Sequence, residues 1–166
     1  MIELIPIDAE LARCLGTGAA GFEARYRVGL GEVHGLLHDV VRQTLDLERR
    51  VPRPPPWLGQ IAVDDARRVV AVCGFANNPE ADGMAEIAYG TFPGFERRGH
   101  ATAMAARLVR LVRDEGSVPL VIAHTLPVDG PSPRVLARVG FRNEGEIEHP
   151  EDGRVWRWSL RVDAVR

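Results

Sequence analysis

Tyr89-Gly90-Thr91-Phe92-Pro93-Gly94-Phe95-Glu96-Arg97-Arg98-Gly99-His100-Ala101-Thr102 is the stretch on which the reading of this sequence turns. An apolar strand runs into a short loop with two arginines and a glycine, and a long helix starts at once. The first N–H groups of a helix have no partner within it and lie at the positive end of its dipole. A glycine there lets a ligand come close to the backbone, so the loop suits a phosphate or pyrophosphate. Arg97 and Arg98 can add charge-assisted bonds to the same anion. The plainer alternative is an ordinary strand-to-helix connection with solvent-facing arginines. It is not a Walker loop, which needs a Gly-Lys pair: the 166 residues contain no lysine, and all 21 basic residues are arginine. Nor is it a Gly-x-Gly-x-x-Gly dinucleotide fingerprint.

Outward from this stretch, the pattern is that of a mixed α/β domain. Ile2–Ile7 reads as a short strand, with Asp8 as the N-cap of a following helix. Residues 16–31 are glycine-rich and ambiguous. From Glu32 to Arg49, Val33, Leu36, Leu37, Val40, Val41 and Leu45 recur at helical spacing, and the proline run 52–56 ends that helix. Strands follow at Trp57–Val63, Val69–Ala76 and Met84–Phe92, with turns at 64–67 and 77–83. A helix spans Gly99–Glu115, with Arg107, Arg110 and Arg113 on its solvated face. Pro119–Ala123 reads as a buried strand, and Ser132–Val139 as a short helix closed by Gly140. Phe141–Glu148 and Arg154–Val162 form a hairpin, and no internal repeat is present.

Composition narrows the function. Apolar residues make up 45% and charged residues 27%, which excludes a disordered chain. The formal net charge of -2 argues against a nucleic-acid binder, which needs a basic excess to neutralise phosphates. Cys14 and Cys73 are far apart, with no metal-ligand spacing, and neither a disulfide nor a metal is expected. The N-terminus has no basic segment followed by an apolar one, and no run reaches the ~18 apolar residues of a membrane span. A cytoplasmic protein without a membrane partner is the expectation.

Several motifs together resemble the GNAT superfamily of acetyl-CoA-dependent N-acetyltransferases. Glu96-Arg97-Arg98-Gly99-His100-Ala101 is similar to the family's Arg/Gln-x-x-Gly-x-Gly/Ala signature. Glu86-Ile87-Ala88-Tyr89-Gly90 resembles its fourth strand. His124-Thr125-Leu126-Pro127, Ser132-Pro133-Arg134-Val135-Leu136 and Gly140-Phe141 resemble its second motif. The likeness covers about residues 57–160 and is nearest the bacterial branch that includes ribosomal-protein alanine acetyltransferases. Three positions depart from the pattern: Glu96 replaces Arg or Gln, Asp129 replaces Asn, and Leu136 replaces a tyrosine that serves some relatives as general acid.

The resemblance implies a single domain over 1–166, with a splayed, mostly antiparallel sheet of six or seven strands and about four helices. Residues 1–56 would form the acceptor side, and 57–162 the sheet and acetyl-CoA site. Pantetheine would pair with backbone near Thr91 and Phe92, with Asp129 and Ser132 close by. The pyrophosphate would rest on the N–H groups of Arg98, Gly99, His100, Ala101 and Thr102, aided by Arg97. Glu86 is the first candidate for the base that frees the attacking amine, and His124, whose ordinary pKa suits proton transfer, the second. Ser132 is the candidate donor to the leaving thiolate, unless it is a plain helix N-cap. Cys73 as a nucleophile is disfavoured by its apolar setting. The acceptor would be a peptide or small-molecule amine, and the Trp156 strand offers a face for a homodimer. The competing class is a sensor that keeps the acyl-CoA site without catalysis. A third is a different phosphate-binding α/β protein.

Overall fold

The computed structural model describes residues 1–163. Its elements run β1 (Ile2–Pro6), α1 (Ala9–Gly16), α2 (Ala19–Tyr26), α3 (His34–Arg50), β2 (Gln60–Asp64), β3 (Val69–Phe75), α4 (Pro79–Asp82), β4 (Ala85–Thr91), α5 (His100–Glu115), β5 (Leu120–Thr125), α6 (Pro131–Val139), β6 (Arg142–His149) and β7 (Gly153–Arg161). The strand order is β1-β2-β3-β4-β5-β7-β6, the seven-stranded, mostly antiparallel arrangement that the motifs implied. Two compact units divide the chain, Met1–Gly74 with Tyr89–His100, and Phe75–Ala88 with Ala101 onward.

The first unit holds the antiparallel pairs β1/β2 and β2/β3. Its core gathers Leu11, Leu15, Phe22, Leu37, Ile61 and Val69, each almost or entirely buried. Asp8 starts α1 as its sequence position predicts: its carboxylate accepts the Leu11 N–H at 2.8 Å. The ambiguous segment 16–31 contains α2, an added helix whose one buried side chain is Phe22. Trp57 is fully buried yet outside the strand expected to begin with it. Its N–H bonds the Pro54 carbonyl at 2.9 Å, a turn that delays β2 until Gln60.

In the second unit β7 lies between β5 and β6, antiparallel to both. The helix α5 buries Met104, Leu108 and Val112 on one face and exposes Arg107, Arg110 and Arg113. Gly140 closes α6 in the left-handed conformation, at φ 106. Trp158 is buried and donates its Nε1–H to Thr125 Oγ1 at 3.1 Å. On the face that the sequence offers for a homodimer, Trp158 and Val162 are buried and Trp156 and Leu160 half-buried. Two further short helices bring the number among the described residues to six rather than about four. The added ones are α2 and the single turn α4, which replaces the expected turn at 77–83.

Removing the α1 cap by Asp8→Ala should cost about 1 kcal/mol without changing the fold. Urea melts of both proteins check this, with an unaltered midpoint as the contrary result.

Candidate active site

A short parallel ladder sets the chemistry of the second unit. β4 and β5 pair only at Ala85↔Val121 and Glu86↔Ile122, and Ile87 and Ala88 do not continue the ladder. Side chains two apart on a strand share a face, so Glu86 stands beside Ile122 and looks along β5 to His124. Glu86 Oε1 lies 2.7 Å from His124 Nδ1, with side-chain exposures of 23% and 11%. The two residues that the sequence offers as separate base candidates thus form one couple. Asn77 holds the strand in place: its Oδ1 accepts the Glu86 N–H at 2.8 Å, and its amide donates to the Met84 carbonyl at 2.8 Å and to Asp82 at 2.9 Å.

The other ring nitrogen, His124 Nε2, is buried and has no hydrogen-bond partner among the described residues. His149, at the end of β6, brings its ring centroid to 5.0 Å from that of His124. Its Nδ1 accepts the N–H groups of Glu151 and Asp152 at 3.3 and 3.2 Å and lies 3.3 Å from Asp152 Oδ2. Glu86, His124 and His149 each present one potential ligand atom, all within 4.8 Å of one another. Arg157 stands opposite His124 in the β5/β7 register, but its Nε is paired with Glu144 at 3.1 Å. Sequence reasoning missed His149, because nothing in its local spacing marks it: only the hairpin folding back brings it here.

The loop that carries Arg97, Arg98 and Gly99 belongs to the first unit up to His100. Gly94, Arg97 and Gly99 have φ of 85, 60 and 83, the left-handed region. No atom lies within 4 Å of where a Cβ on Gly99 would stand, so its glycine answers to backbone conformation and leaves open space above it. Glu96 Oε2 accepts the Gly94 N–H at 2.8 Å, which gives the residue that departs from the family signature a role in shaping the loop. Arg97 and Arg98 are exposed, and Phe95 carries the guanidinium groups of Arg98 at 5.7 Å and Arg68 at 5.3 Å from its ring centre. Phe92 is buried; its N–H donates to the Val70 carbonyl at 2.9 Å and its own carbonyl accepts from Phe95 at 3.1 Å. Thr91 ends β4 half-buried, and Ala101 and Thr102 lie in the first turn of α5.

The remaining candidates lie apart from the couple in sequence. Asp129 is exposed in the connection before α6. Ser132 is not the N-cap: Gly130 holds that position, and Ser132 is exposed in the first turn of the helix. Leu136 is fully buried, so it does structural work where a tyrosine would present a hydroxyl. Cys73 is buried, and burial pushes its thiol up to about 12, so no thiolate is available at neutral pH.

The acetyltransferase (GNAT) domain family matches residues 34–142. The chain belongs to this family. Acetyl transfer, the activity its motifs implied, is therefore that of a GNAT domain, and the strand order agrees with it. No curated protein matches the sequence. Among solved structures, a ribosomal L7/L12 alpha-N-protein acetyltransferase in complex with coenzyme A aligns at TM-score 0.67 and 16% identity, over 99% of this chain and 96% of that one. A microcin C7 self-immunity acetyltransferase, solved with acetyl-CoA and AMP, aligns at TM-score 0.67 and 16% identity, over 97% and 92%. A ribosomal-protein-S5-alanine acetyltransferase from Vibrio fischeri aligns at 0.63 and 13% identity, over 98% and 92%. Likeness at these identities is likeness of fold. No helix among the described residues is long and apolar enough to cross a membrane.

Two predictions follow from burial in this region. In the native protein a thiol reagent should label the half-buried Cys14 and spare Cys73, which reacts only after denaturation; rapid labelling of both would contradict its burial. His100 is held below its ordinary value, first by desolvation and then by Arg98 and Arg68, against an opposing pull from Asp64. The unfolded chain then binds the proton more readily than the folded one. Stability is intact above about pH 6.5 and declines as pH falls through that value toward the lower folded one. His100→Asn should flatten this acid-side slope in thermal melts, and an unchanged slope would refute the assignment.

Proposed function

We propose that this GNAT domain carries the acetyl group of acetyl-CoA to a primary amine, a peptide N-terminus or a small-molecule amine, by direct attack. The Glu86–His124 couple is the observation that carries the reading. Acetyl-CoA supplies a thioester carbonyl that a neutral amine can attack, and departs as the free thiol. The amine reaches the site as an ammonium ion and must lose a proton first. With Glu86 holding the Nδ1 proton of His124, the ring keeps a lone pair on Nε2, and that buried atom has no competing partner among the described residues. Nε2 takes the ammonium proton. Glu86 fixes the tautomer and stabilises the imidazolium that forms, the division of labour between carboxylate and histidine in many hydrolases.

The loop residues fit the anionic end of the co-substrate. The open space over Gly99 and the start of α5 at His100 suit a pyrophosphate held by the N–H groups of residues 98–102, with Arg97 and Arg98 adding charge. Thr91 and Phe92 flank the pantetheine arm; because both backbone groups of Phe92 are already engaged, Thr91 carries more of that pairing. Asp129 accepts from a pantetheine amide, and the exposed Ser132 hydroxyl donates to the departing sulfur. Solved neighbours that acetylate ribosomal proteins support a peptide acceptor, and the immunity acetyltransferase supports a small-molecule one.

Thiol release from acetyl-CoA across polyamines, aminoglycosides and peptides with free N-termini tests the proposal. One of these classes should turn over with sequential kinetics. Glu86→Gln and His124→Gln should each lower kcat by about 10²- to 10⁴-fold while acetyl-CoA binding persists. Binding with no release on any amine would favour the sensor, and unchanged kcat in both variants would remove the couple from the proton path.

A further inference from the structure

The catalytic couple has a third neighbour that proton removal does not use. Glu86, His124 and His149 place one carboxylate oxygen and two imidazole nitrogens within 4.8 Å of one another. From these three side chains we infer a divalent transition-metal site, with Zn2+ as the ion of best match, whose occupation shuts off acetyl transfer. The inhibitory consequence rests on the base role given above to His124; the metal site itself does not.

Four observations carry the inference. Two imidazoles and one carboxylate are the donor set of several zinc sites that keep a fourth position for water, whereas Mg2+ and Ca2+ prefer oxygen alone. His124 Nδ1 faces Glu86 Oε1 at 2.7 Å, so one imidazole nitrogen and one carboxylate oxygen already meet where an ion would bridge them. Glu86 is only 23% exposed and, among the described residues, its sole ion-pair partner is His124 rather than any of the 21 arginines. A half-buried carboxylate that no arginine pairs with among the described residues is a place where a dication is held. Finally, the His149 ring is fixed beside that of His124, because its Nδ1 accepts the N–H groups of Glu151 and Asp152 at 3.3 and 3.2 Å and the two ring centroids lie 5.0 Å apart.

The nearest cation does not oppose this. Arg157, opposite His124 in register, is neutralised by Glu144 at 3.1 Å, and its Nη2 rests 3.9 Å from Met84 Sδ. Zinc–nitrogen and zinc–oxygen bonds are about 2.0–2.2 Å, so an ion needs these donors roughly 3–3.5 Å apart. The 2.7 Å Glu86–His124 contact must open slightly, and His149 must close in. An ion held between Glu86 and His124 Nδ1 leaves the ring proton on Nε2, which then has no lone pair for the amine proton, so metal binding and proton transfer exclude each other.

The test uses the full chain stripped with a chelator and titrated calorimetrically with Zn2+ alone, with Mg2+ as control. One Zn2+ should bind per chain and Mg2+ should not. His149→Asn and Glu86→Gln should each weaken Zn2+ binding by at least about ten-fold, the lower end of the loss seen when an outer-shell partner alone is removed. Circular dichroism confirms that the variants fold. In the thiol-release assay Zn2+ should inhibit the unmodified protein, and His149→Asn, measured against its own metal-free rate, should need at least about ten-fold more Zn2+ for the same inhibition. Absence of stoichiometric binding, or binding equal in all three proteins, overturns the metal site. Stoichiometric binding that leaves the rate untouched upholds the metal site and removes His124 from the proton path. Normal transfer without any binding does the reverse.

Discussion

Two residue pairs hold the chemistry of this domain together. The parallel ladder between β4 and β5 contains only Ala85↔Val121 and Glu86↔Ile122, and both strands run on beyond it. Where a ladder stops, backbone groups and side chains become available to something other than a neighbouring strand. Its last pair also sets Glu86 against β5 two residues from His124, which is the one register that lets the side chains meet at 2.7 Å. A slip by one residue would turn one of the two to the opposite face of the sheet. Asn77, bonded to the Glu86 N–H and to the Met84 carbonyl, is the local device that resists such a slip.

The departures from the family signature have different physical weights. Glu96 accepts the Gly94 N–H and so helps define the loop. Leu136 is part of the core and offers no polar atom, so the leaving sulfur must find its proton elsewhere. An arginine-only chain makes this arrangement work at the loop: arginine keeps its charge at any relevant pH and packs flat on an aromatic ring, as Arg68 and Arg98 do on Phe95.

Much of the fold was legible because its signals are local. The Asp8 cap, the proline run ending α3, the apolar stripe of α5 and the left-handed Gly140 each follow from sterics or hydrogen bonding within a few residues. The misses share a cause as well. Helix α2 buries a single side chain, Phe22, and so has almost no apolar period. Trp57 looks like a strand residue by type, but a turn to Pro54 decides its backbone. The strand carrying Trp156 looked exposed because alternation alone does not say what packs on each face, and the structure buries Trp158 and half-buries Trp156.

The sequence by itself determined most of the order of elements, the strand–loop–helix connection at 89–102 and the family, since motif spacing and backbone conformation are written in short segments. It also named Glu86 and His124. That the two form a couple, and that His149 joins them, only the tertiary structure decided. The three are separated by 38 and 25 residues along the chain, and no local pattern links them. Strand pairing closes both distances, because hydrogen-bond register brings residues together by position across a sheet and not by proximity in sequence.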